Sequence, residues 1–421
     1  MPKKKGKRGK KPTRGKTEQR EHTQKSKCSV GSDEFSNLSI FQDDLLEQIL
    51  GYLPIAIIIR AGLVCKKWRK ITSSKRFLWN ASQTVQQKPW YFMCVNDVLA
   101  PMSLTWWYAY DPILQKCHGR DFLDMMKSHK FFDSSDGLVC FVKDNEIHVC
   151  NPITKEHKKL HEPPRTFLPR YTHYLRSSYS HNSRLINIWV NRRLQIYNVS
   201  VLYYEEEEGA HMNREFSFQV YDSATMKWAT SQPEILIGWK LHRKSVICNG
   251  VLYFLIYPTG TGVGLIKNGL LAYNFSSNSS TQGTLINSFI PLPCSMLFGL
   301  MNLKEKLIIV GAIDEPGVEN LHIGFGIWLL IGKDWQEISR ITHPCIYDSY
   351  RFFDSSGADD LIYIHNKVDP QLVVFDMKLK QWTCCQKCVP TGFCMTTGFC
   401  VNTGFYLATG FCFQPRLDIS P

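Results

Sequence analysis

The chain has 421 residues, of which 44% are hydrophobic and 13% aromatic, a composition that fits a large folded core and excludes a disordered chain. Its formal net charge is +13, but residues 1–27 carry twelve Lys/Arg and two Glu, so they contribute +10 of that charge. Because only +3 remains for the rest, the body of the protein is close to neutral. Composition therefore does not predict a basic, nucleic-acid-binding class.

The first 35 residues form a basic segment without an apolar run, and we expect them to be disordered. They lack the apolar core of a signal peptide. The charge clusters predict a nuclear localisation signal, with the protein in the nucleus, the cytoplasm or both. An inert solvated arm is the next reading, and nucleic-acid contact is the least favoured because no aromatic side chains are interleaved. The residues of the predicted signal are Lys3, Lys4, Lys5, Lys7, Arg8, Lys10 and Lys11.

Residues 41–79 have the apolar spacing of short helices. Asp43 and Asp44 stand where negative charge favours a helix N-terminus, and Pro54 biases Leu53 away from helical geometry. We therefore expect a first helix to end near Gly51 and a second to open at Pro54. A third helical series is Ala61, Val64, Trp68 and Ile71. Three such short helices cannot bury a large core, so the segment is expected to need a partner.

This segment resembles an F-box, the module that docks a chain onto the Skp-family linker of cullin–RING ubiquitin ligases. The matching features are DDLLEQIL, LP, Arg60, VCKKW and FLW, while Phe41-Gln42 replaces the family's opening Leu-Pro. The resemblance implies an F-box over residues 36–82 that binds the linker and, through it, a cullin. The implied contact residues are Leu45, Leu46, Ile49, Leu50, Leu53, Pro54, Val64, Cys65 and Trp68. A helical hairpin that only caps a β domain is the alternative.

From about residue 88 the pattern becomes one of short β-strands separated by turn residues. An aromatic or other apolar residue followed by Asp or Asn recurs at the ends of these strands, at Tyr110-Asp111, Cys150-Asn151, Tyr221-Asp222, Tyr273-Asn274 and Phe375-Asp376. A further strand, GIWLLIGKDW, is expected to end in Trp335 and to fill the same role. With one weak unit hidden between Asn151 and Asp222, the steps average about 45 residues, a period typical of β-propellers.

Asp136-Gly137 and Asn249-Gly250, each in the first half of a unit, predict tight turns at positive φ. The pattern resembles the kelch-type propellers that follow the F-box in many plant proteins, in a degenerate form without any Gly-Gly pair. The predicted fold is mixed and mainly β. A three-helix F-box precedes a kelch-like propeller of about six blades over residues 88–413, and residues 414–421 form a C-terminal tail. The repeated TGFC segments near the C-terminus could supply strands of the closing blade.

We predict no catalytic residues, no cofactor and no metal site. Cys384, Cys385 and Cys388 lack a second ligand pair at a suitable distance. The aromatic-Asp marks and Trp228, Trp335 and Trp382 are interpreted as packing and turn residues. The F-box resemblance implies a non-catalytic substrate receptor whose propeller binds an unknown target protein, with residues 163–216 and 258–269 as candidate recognition segments. A non-ligase scaffold and, less favoured, a copper-containing propeller oxidase are the alternatives. No membrane partner is expected, since the most apolar window is too short to span a bilayer.

Overall fold

The computed structural model describes residues 43–84, 87–97, 105–119, 132–143, 146–161, 183–204, 213–231, 234–258, 268–274, 284–314, 322–342, 353–366, 372–385 and 406–421. The predicted nuclear localisation residues, Phe41-Gln42, Cys388 and the first three copies of the TGF repeat lie outside them. The chain divides into two units, residues 1–46 and residues 47–421. None of the described helices is long and apolar enough to cross a membrane.

Four short helices come first: α1 (Asp43–Gly51), α2 (Ile55–Ala61), α3 (Lys66–Thr72) and α4 (Lys75–Thr84). The predicted end of the first helix at Gly51 is confirmed, and Pro54 is the N-cap of α2. The prediction of three helices was wrong, because the Ser74 hydroxyl accepts from the Phe77 N–H at 3.2 Å and starts α4. The predicted third series was also too long, since α3 begins only after Cys65.

The rest of the described chain is built from strands. In chain order they are β1 (Trp90–Asp97), β2 (Thr105–Asp111), β3 (Lys116–Gly119), β4 (Phe132–Ser135), β5 (Leu138–Lys143), β6 (Glu146–Asn151), β7 (Glu156–Lys159), β8 (Ser183–Asn191), β9 (Ile196–Tyr204), β10 (Asn213–Asp222), β11 (Lys227–Thr230), β12 (Glu234–Ile237), β13 (Trp239–Cys248), β14 (Val251–Pro258), β15 (Gly269–Asn274), β16 (Thr284–Pro291), β17 (Leu297–Asn302), β18 (Leu307–Asp314), β19 (His322–Ile331), β20 (Asp334–Thr342), β21 (Phe353–Ala358), β22 (Leu361–Asn366), β23 (Leu372–Asp376), β24 (Gln381–Cys385) and β25 (Tyr406–Phe413).

These strands form six antiparallel sheets, the blades of a β-propeller. Blade 1 is closed by both ends of the domain, in the order β25-β1-β2-β3. Blades 2 and 3 follow as β4-β5-β6-β7 and β8-β9-β10-β11, with β12 also paired to β10. Blades 4, 5 and 6 run from β13 to β16, from β17 to β20 and from β21 to β24. The predicted architecture of about six blades is thus confirmed, and the last TGFC copy lies in the closing strand β25.

The interval between Asn151 and Asp222 holds one blade, and among its described residues there is no extra unit of the kind the sequence spacing suggested. The interval is long because strands β8, β9 and β10 are nine or ten residues long and because residues 160–182 and 205–212 connect strands within it. The GIWLLIGKDW segment is also corrected. It is a hairpin in which β19 ends at Ile331, Gly332 turns at a φ of 64°, and Trp335 lies in β20.

The recurring Asp and Asn residues fix the turn between the third and fourth strands of a blade. Asp376 shows the arrangement most fully, because one carboxylate oxygen accepts from the N–H groups of Lys378 and Leu379, each at 2.9 Å. Asp111, Asn151 and Asp222 make the same kind of bond in blades 1, 2 and 3. Such side-chain-to-backbone bonds replace bonds that the turn cannot make within its own backbone. The Asp or Asn that recurs in the sequence at the ends of these strands therefore stabilises a turn.

The three tryptophans of the fourth strands tie each blade to the one before it. The indole N–H of Trp228 donates to the His161 carbonyl at 2.9 Å, and that of Trp335 donates to the Pro291 carbonyl at 2.8 Å. The indole N–H of Trp382 donates to the Ser339 hydroxyl at 3.0 Å. All three side chains are partly buried, and an indole N–H withdrawn from water needs such an acceptor, so the same side chain both packs and forms a hydrogen bond between blades. Their predicted structural role is confirmed.

Candidate functional site

The innermost strands of the six blades contact one another around the ring; they are β25, β4, β8, β13, β17 and β21. Every blade repeats the same antiparallel order outward from its innermost strand, so the two ends of the propeller differ in their connections. The turns between first and second strands and between third and fourth strands lie at one end, which we call the turn end. Asp136-Gly137 is one of them, and the predicted positive φ is confirmed at 40° and 91°. The connections between second and third strands, and between blades, lie at the opposite or loop end.

The two candidate recognition segments are flanked by strand ends at the loop end. Strands β7 and β8 are connected by residues 160–182, β9 and β10 by residues 205–212, and β14 and β15 by residues 259–268. The connecting residues themselves lie almost entirely outside the described part of the chain. Their role in recognition stays a prediction, but the strand ends that flank all three connections belong to one end of the propeller.

The helices join the propeller at its turn end. The chain leaves α4 at Thr84 and enters β1, the second strand of blade 1, which starts at that end. Near this junction the Gln87 side chain accepts a hydrogen bond from the Ile55 N–H at 3.1 Å, which ties the start of α2 to the connecting segment. The entry of the chain from α4 and the strand ends that flank the candidate recognition segments therefore belong to opposite ends of the propeller.

Exposed apolar side chains are concentrated on the helices. Of thirteen exposed large hydrophobic residues in the described chain, seven fall between residues 45 and 79: Leu45, Ile49, Tyr52, Ile59, Leu63, Val64 and Trp79. Leu63 is 82% exposed and Val64 60%, in the turn between α2 and α3. Exposed apolar side chains concentrated in one short segment are typical of a surface that binds a protein partner. We call the five residues Ile49, Tyr52, Ile59, Leu63 and Val64 the docking set.

The nine residues assigned to linker binding from sequence differ widely in exposure. Leu45, Ile49, Val64 and Cys65 are exposed, whereas Leu53, Pro54 and Trp68 are partly buried. Leu46 and Leu50 are only 4% and 1% exposed, so both side chains belong to the hydrophobic core. The sequence reasoning missed Tyr52, Ile59 and Leu63, although their alternation with buried Ile55 and Ile58 could have indicated a second apolar face. Assignment of the nine residues to the linker surface stays a prediction.

Helix α3 is positioned by Cys65, whose sulfur accepts a hydrogen bond from the Trp68 N–H at 3.4 Å as the N-cap. The surrounding surface is basic, with seven Lys/Arg and one acid between residues 47 and 84. That acid, Glu47, is paired with Arg76 at 2.8 Å. Lys66, Arg69 and Lys70 are exposed on α3. The electrostatics of the module thus favour a partner surface that is apolar and acidic.

A chain of polar contacts joins the innermost strands of the blades. The Asp133 carboxylate accepts from the Ile188 N–H at 2.8 Å, and burial raises the pKa of Asp133 from 3.8 to about 7. The Ser245 hydroxyl donates to the Asn187 side chain at 2.8 Å. The Lys244 amine donates to the Phe298 carbonyl and, at 2.9 Å, to Asp354. Two further contacts reach β25, where the Cys412 N–H donates to Ser356 at 2.9 Å and the Cys412 carbonyl accepts from Ser134.

These contacts each join one innermost strand to another, and the residues involved are held by the closure of the ring. Among the described residues no group of three His, Cys, Asp or Glu side chains could hold a metal ion. Cys384 and Cys385, considered from sequence as possible ligands, lie in the outer strand β24. Burial raises the pKa of the Cys150, Cys248 and Cys294 thiols to about 12, so these sulfurs stay protonated near neutral pH.

Comparison with known proteins agrees with this architecture. Residues 43–81 match the family described as "F-box-like", and residues 112–308 match the "F-box associated beta propeller domain". An F-box/kelch-repeat protein of Arabidopsis thaliana is 42% identical over 396 residues, which cover 92% of this chain and 91% of the relative. The chain belongs to the F-box/kelch-repeat family. The predicted resemblance is thereby confirmed, and the helical module is the F-box.

More distant relatives of this F-box protein were also found. F-box only protein 6 of Arabidopsis thaliana is 23% identical over 398 residues, covering 89% of this chain and 76% of the relative. Among solved structures, TolB from Acinetobacter baumannii aligns with a TM-score of 0.40 and 8% identity over 75% of this chain and 67% of its own. That alignment is too distant to bear on function.

Proposed function

We propose that this chain is the substrate-recognition subunit of an SCF-type ubiquitin ligase. Its F-box binds a Skp-family linker and through it a cullin, while the propeller binds a target protein. The observation that carries the proposal is the concentration of exposed apolar side chains on the F-box helices, within a basic surface. Membership of the F-box/kelch-repeat family supports the same assignment.

In this proposal the chain supplies no catalytic group. It acts by proximity, because holding the target in the same complex as a ubiquitin-charged enzyme raises the effective concentration of acceptor lysines. The separation of the two tasks is supported by the topology, since the F-box joins the turn end and the candidate recognition connections belong to the loop end. Target identity would then depend on those connections alone.

The docking set supplies the binding energy. Burying an exposed aliphatic side chain contributes about 1.5–3 kcal/mol, so two or three such residues offset a substantial part of the cost of association. The basic side chains of α3 add long-range attraction to an acidic partner and mainly accelerate association. We therefore expect linker binding to lose affinity when the docking set is made polar and to slow when salt is raised.

The test measures the affinity of the purified chain for a Skp-family linker. The double variant Ile49→Asp/Val64→Asp should bind at least about 100-fold more weakly, since two carboxylates would have to be desolvated in the interface. Leu50→Asp is unsuitable, because Leu50 is 1% exposed and its loss would unfold the helices.

The matched control is Leu194→Asp/Met226→Asp, which changes two propeller residues that are 65% and 61% exposed. Its affinity should equal that of the wild type. Equal binding by the docking-set variant, with the helices folded by circular dichroism, would disprove the proposal. A scaffold that never joins a ligase would bind no linker in any of the three forms.

A further inference from the structure

The C-terminal residues after β25 are packed into the protein. We call residues 414–421 the C-terminal strap. Leu417 is 7% exposed and Ile419 is 2% exposed, and Ile419 joins the core of blades 2 and 3 with Leu138, Ile147 and Val149. A segment at the end of a chain is usually poorly ordered unless specific contacts hold it. The strap has such contacts on two sides.

On the propeller side, Asn151 holds the strap. Its amide nitrogen donates to the Arg416 carbonyl at 3.0 Å and to the Ile419 carbonyl at 2.9 Å, while its amide oxygen accepts from the Ile153 N–H at 2.9 Å. The equivalent turn residues of blades 1 and 6 are Asp111 and Asp376, which only accept in their turns. A carboxylate could make the turn but could not donate. Blade 2 therefore needs asparagine because the strap binds there.

Gly137 makes room for the strap. Its φ is 91°, and a Cβ at this position would lie 2.6 Å from the Arg416 Cβ and 3.0 Å from the Ile419 Cγ2. The first distance is below any normal carbon–carbon contact, so only glycine lets the backbone of the β4–β5 turn approach the strap so closely. The turn end of blade 2 is thus shaped around residues 416 and 419.

On the F-box side, the strap contacts α4. The Leu417 N–H donates to the Ser82 hydroxyl at 3.3 Å, and the Gln83 amide donates to Asp418 at 3.4 Å. Asp418 is held in place by Arg416, whose Nε lies 3.0 Å away, and the two side chains are only 2% and 9% exposed. A buried, well-aligned ion pair fixes geometry more than it adds stability. Among the described elements α4 makes no extensive contact with any strand, so the hydrogen bonds from the strap contribute to its attachment.

We propose that the C-terminal strap is a positioning element, which holds α4, the last helix of the F-box, on the turn end of the propeller. The consequence for ubiquitin transfer rests on the proposed ligase function. If the F-box is rigidly held, a target at the loop end meets the charged enzyme at one distance, and only a limited set of lysines is reached. If the F-box were loosely held, the charged enzyme would reach a wider range of positions, and ubiquitin would be transferred to lysines less selectively.

The first experiment is hydrogen exchange on the full chain carrying Asn151→Asp. This change keeps the turn acceptor, removes both donors to the strap and places a carboxylate against two carbonyls. Amides of α4 and of the strap should exchange at least about tenfold faster, while those of blades 4 and 5 stay unchanged. The matched control is Asp222→Asn, the reverse exchange at the equivalent turn position of blade 3. It should leave hydrogen exchange in α4 unchanged.

Unchanged exchange in α4 together with faster exchange in the strap would overturn the proposal, because the helix would then be held by something else. Should Asn151→Asp unfold blade 2, the variant Ser82→Ala/Asp418→Ala replaces it, since both changes act on the α4 side of the strap. It should loosen α4 by a similar factor, and a rigid α4 in this variant would likewise overturn the proposal.

The second experiment maps which of the chain's own propeller lysines are modified in a reconstituted complex with linker, cullin and RING subunit. Asn151→Asp should bind the linker within about twofold of wild type but spread ubiquitin over more lysines. An unchanged lysine pattern with a loosened α4 would overturn the role in transfer. Failure of the wild-type chain to bind the linker would refute the ligase function, while the exchange result would still decide whether the strap positions α4.

Discussion

The Lys244 amine lies 2.9 Å from the Asp354 carboxylate, although the two residues stand in the innermost strands of blades 4 and 6. The contact therefore passes the innermost strand of blade 5, where the same amine also donates to the Phe298 carbonyl. Both side chains are less than a quarter exposed, at 22% and 23%. One cation thus links the innermost strands of three of the six blades.

Removing either partner should leave the other charge partly buried and without this ion pair. We expect Lys244→Met and Asp354→Asn each to lower the free energy of unfolding by about 2 kcal/mol, with the double variant much less destabilised than the sum. Urea unfolding of the four proteins gives the coupling energy, which we expect to be about 1–2 kcal/mol. If the two single losses of unfolding free energy add up to the loss in the double variant, the coupling energy is zero and the ion pair itself contributes nothing to stability. Lys306→Met, at an exposed position in the β17–β18 turn, is the control.

Asp133 should make stability depend on pH. In the unfolded chain its carboxyl loses the proton near pH 4, whereas burial raises the pKa in the folded protein to about 7. Between these values the folded state binds a proton that the unfolded state does not, so this group's contribution to stability is lost as pH rises towards 7. Because the side chain is partly exposed, we expect a loss of about 2 kcal/mol, below the full shift.

The measurement is urea unfolding of wild type and Asp133→Asn at about pH 5 and about pH 8. Comparison with the variant is needed because desolvation lowers the pKa of His118 and His157. The contribution of these two histidines to the stability of the protein is lost as pH falls, which is opposite to the effect of Asp133. Relative to the wild type, the free energy of unfolding of Asp133→Asn should be about 2 kcal/mol more favourable at about pH 8 than at about pH 5. A constant difference would contradict the raised pKa of Asp133.

The Asp376 turn should depend on the acceptor oxygen and little on the charge. Asp376→Ala leaves the N–H groups of Lys378 and Leu379 without their acceptor, and we expect it to cost about 1–2 kcal/mol of unfolding free energy. Asp376→Asn keeps an acceptor oxygen and should cost less than about 0.5 kcal/mol. Thermal unfolding of the three proteins distinguishes the cases. An asparagine variant as weak as the alanine one would mean that charge is the decisive property.

Local sequence signals predicted local structure well in this protein. Pro54 set the boundary of the first two helices, and the Asp-Gly pair at residues 136 and 137 gave the expected turn. The fourth helix was missed because its signal is short, with Ser74 as the cap and only Phe77 and Ala81 buried. A small helical unit has too few apolar positions for spacing alone to define each helix.

The apolar stripe of α1 could not reveal which residues face a partner. Leu46 and Leu50 are buried, while Leu45 and Ile49 are both 45% exposed, although the four alternate in one continuous pattern. A helix that packs on a core and also binds a partner carries apolar residues on both sides, and periodicity does not separate them. Contacts between residues far apart in the chain could not be predicted from the sequence pattern either. Asn151 and Arg416 are 265 residues apart, and only ring closure brings them together.

Blade 1 is completed by β25, which lies beyond residue 405, and by β1, which begins at Trp90. During synthesis on the ribosome, more than three hundred residues are therefore added after β1 before its partner strand β25 is made. Until then its hydrogen-bonding edge is open, and an open edge can pair with another chain. A stop codon anywhere before residue 406 would leave that edge permanently exposed. Shortened forms of this protein should thus be removed by cellular quality control, and they would not accumulate as partial receptors.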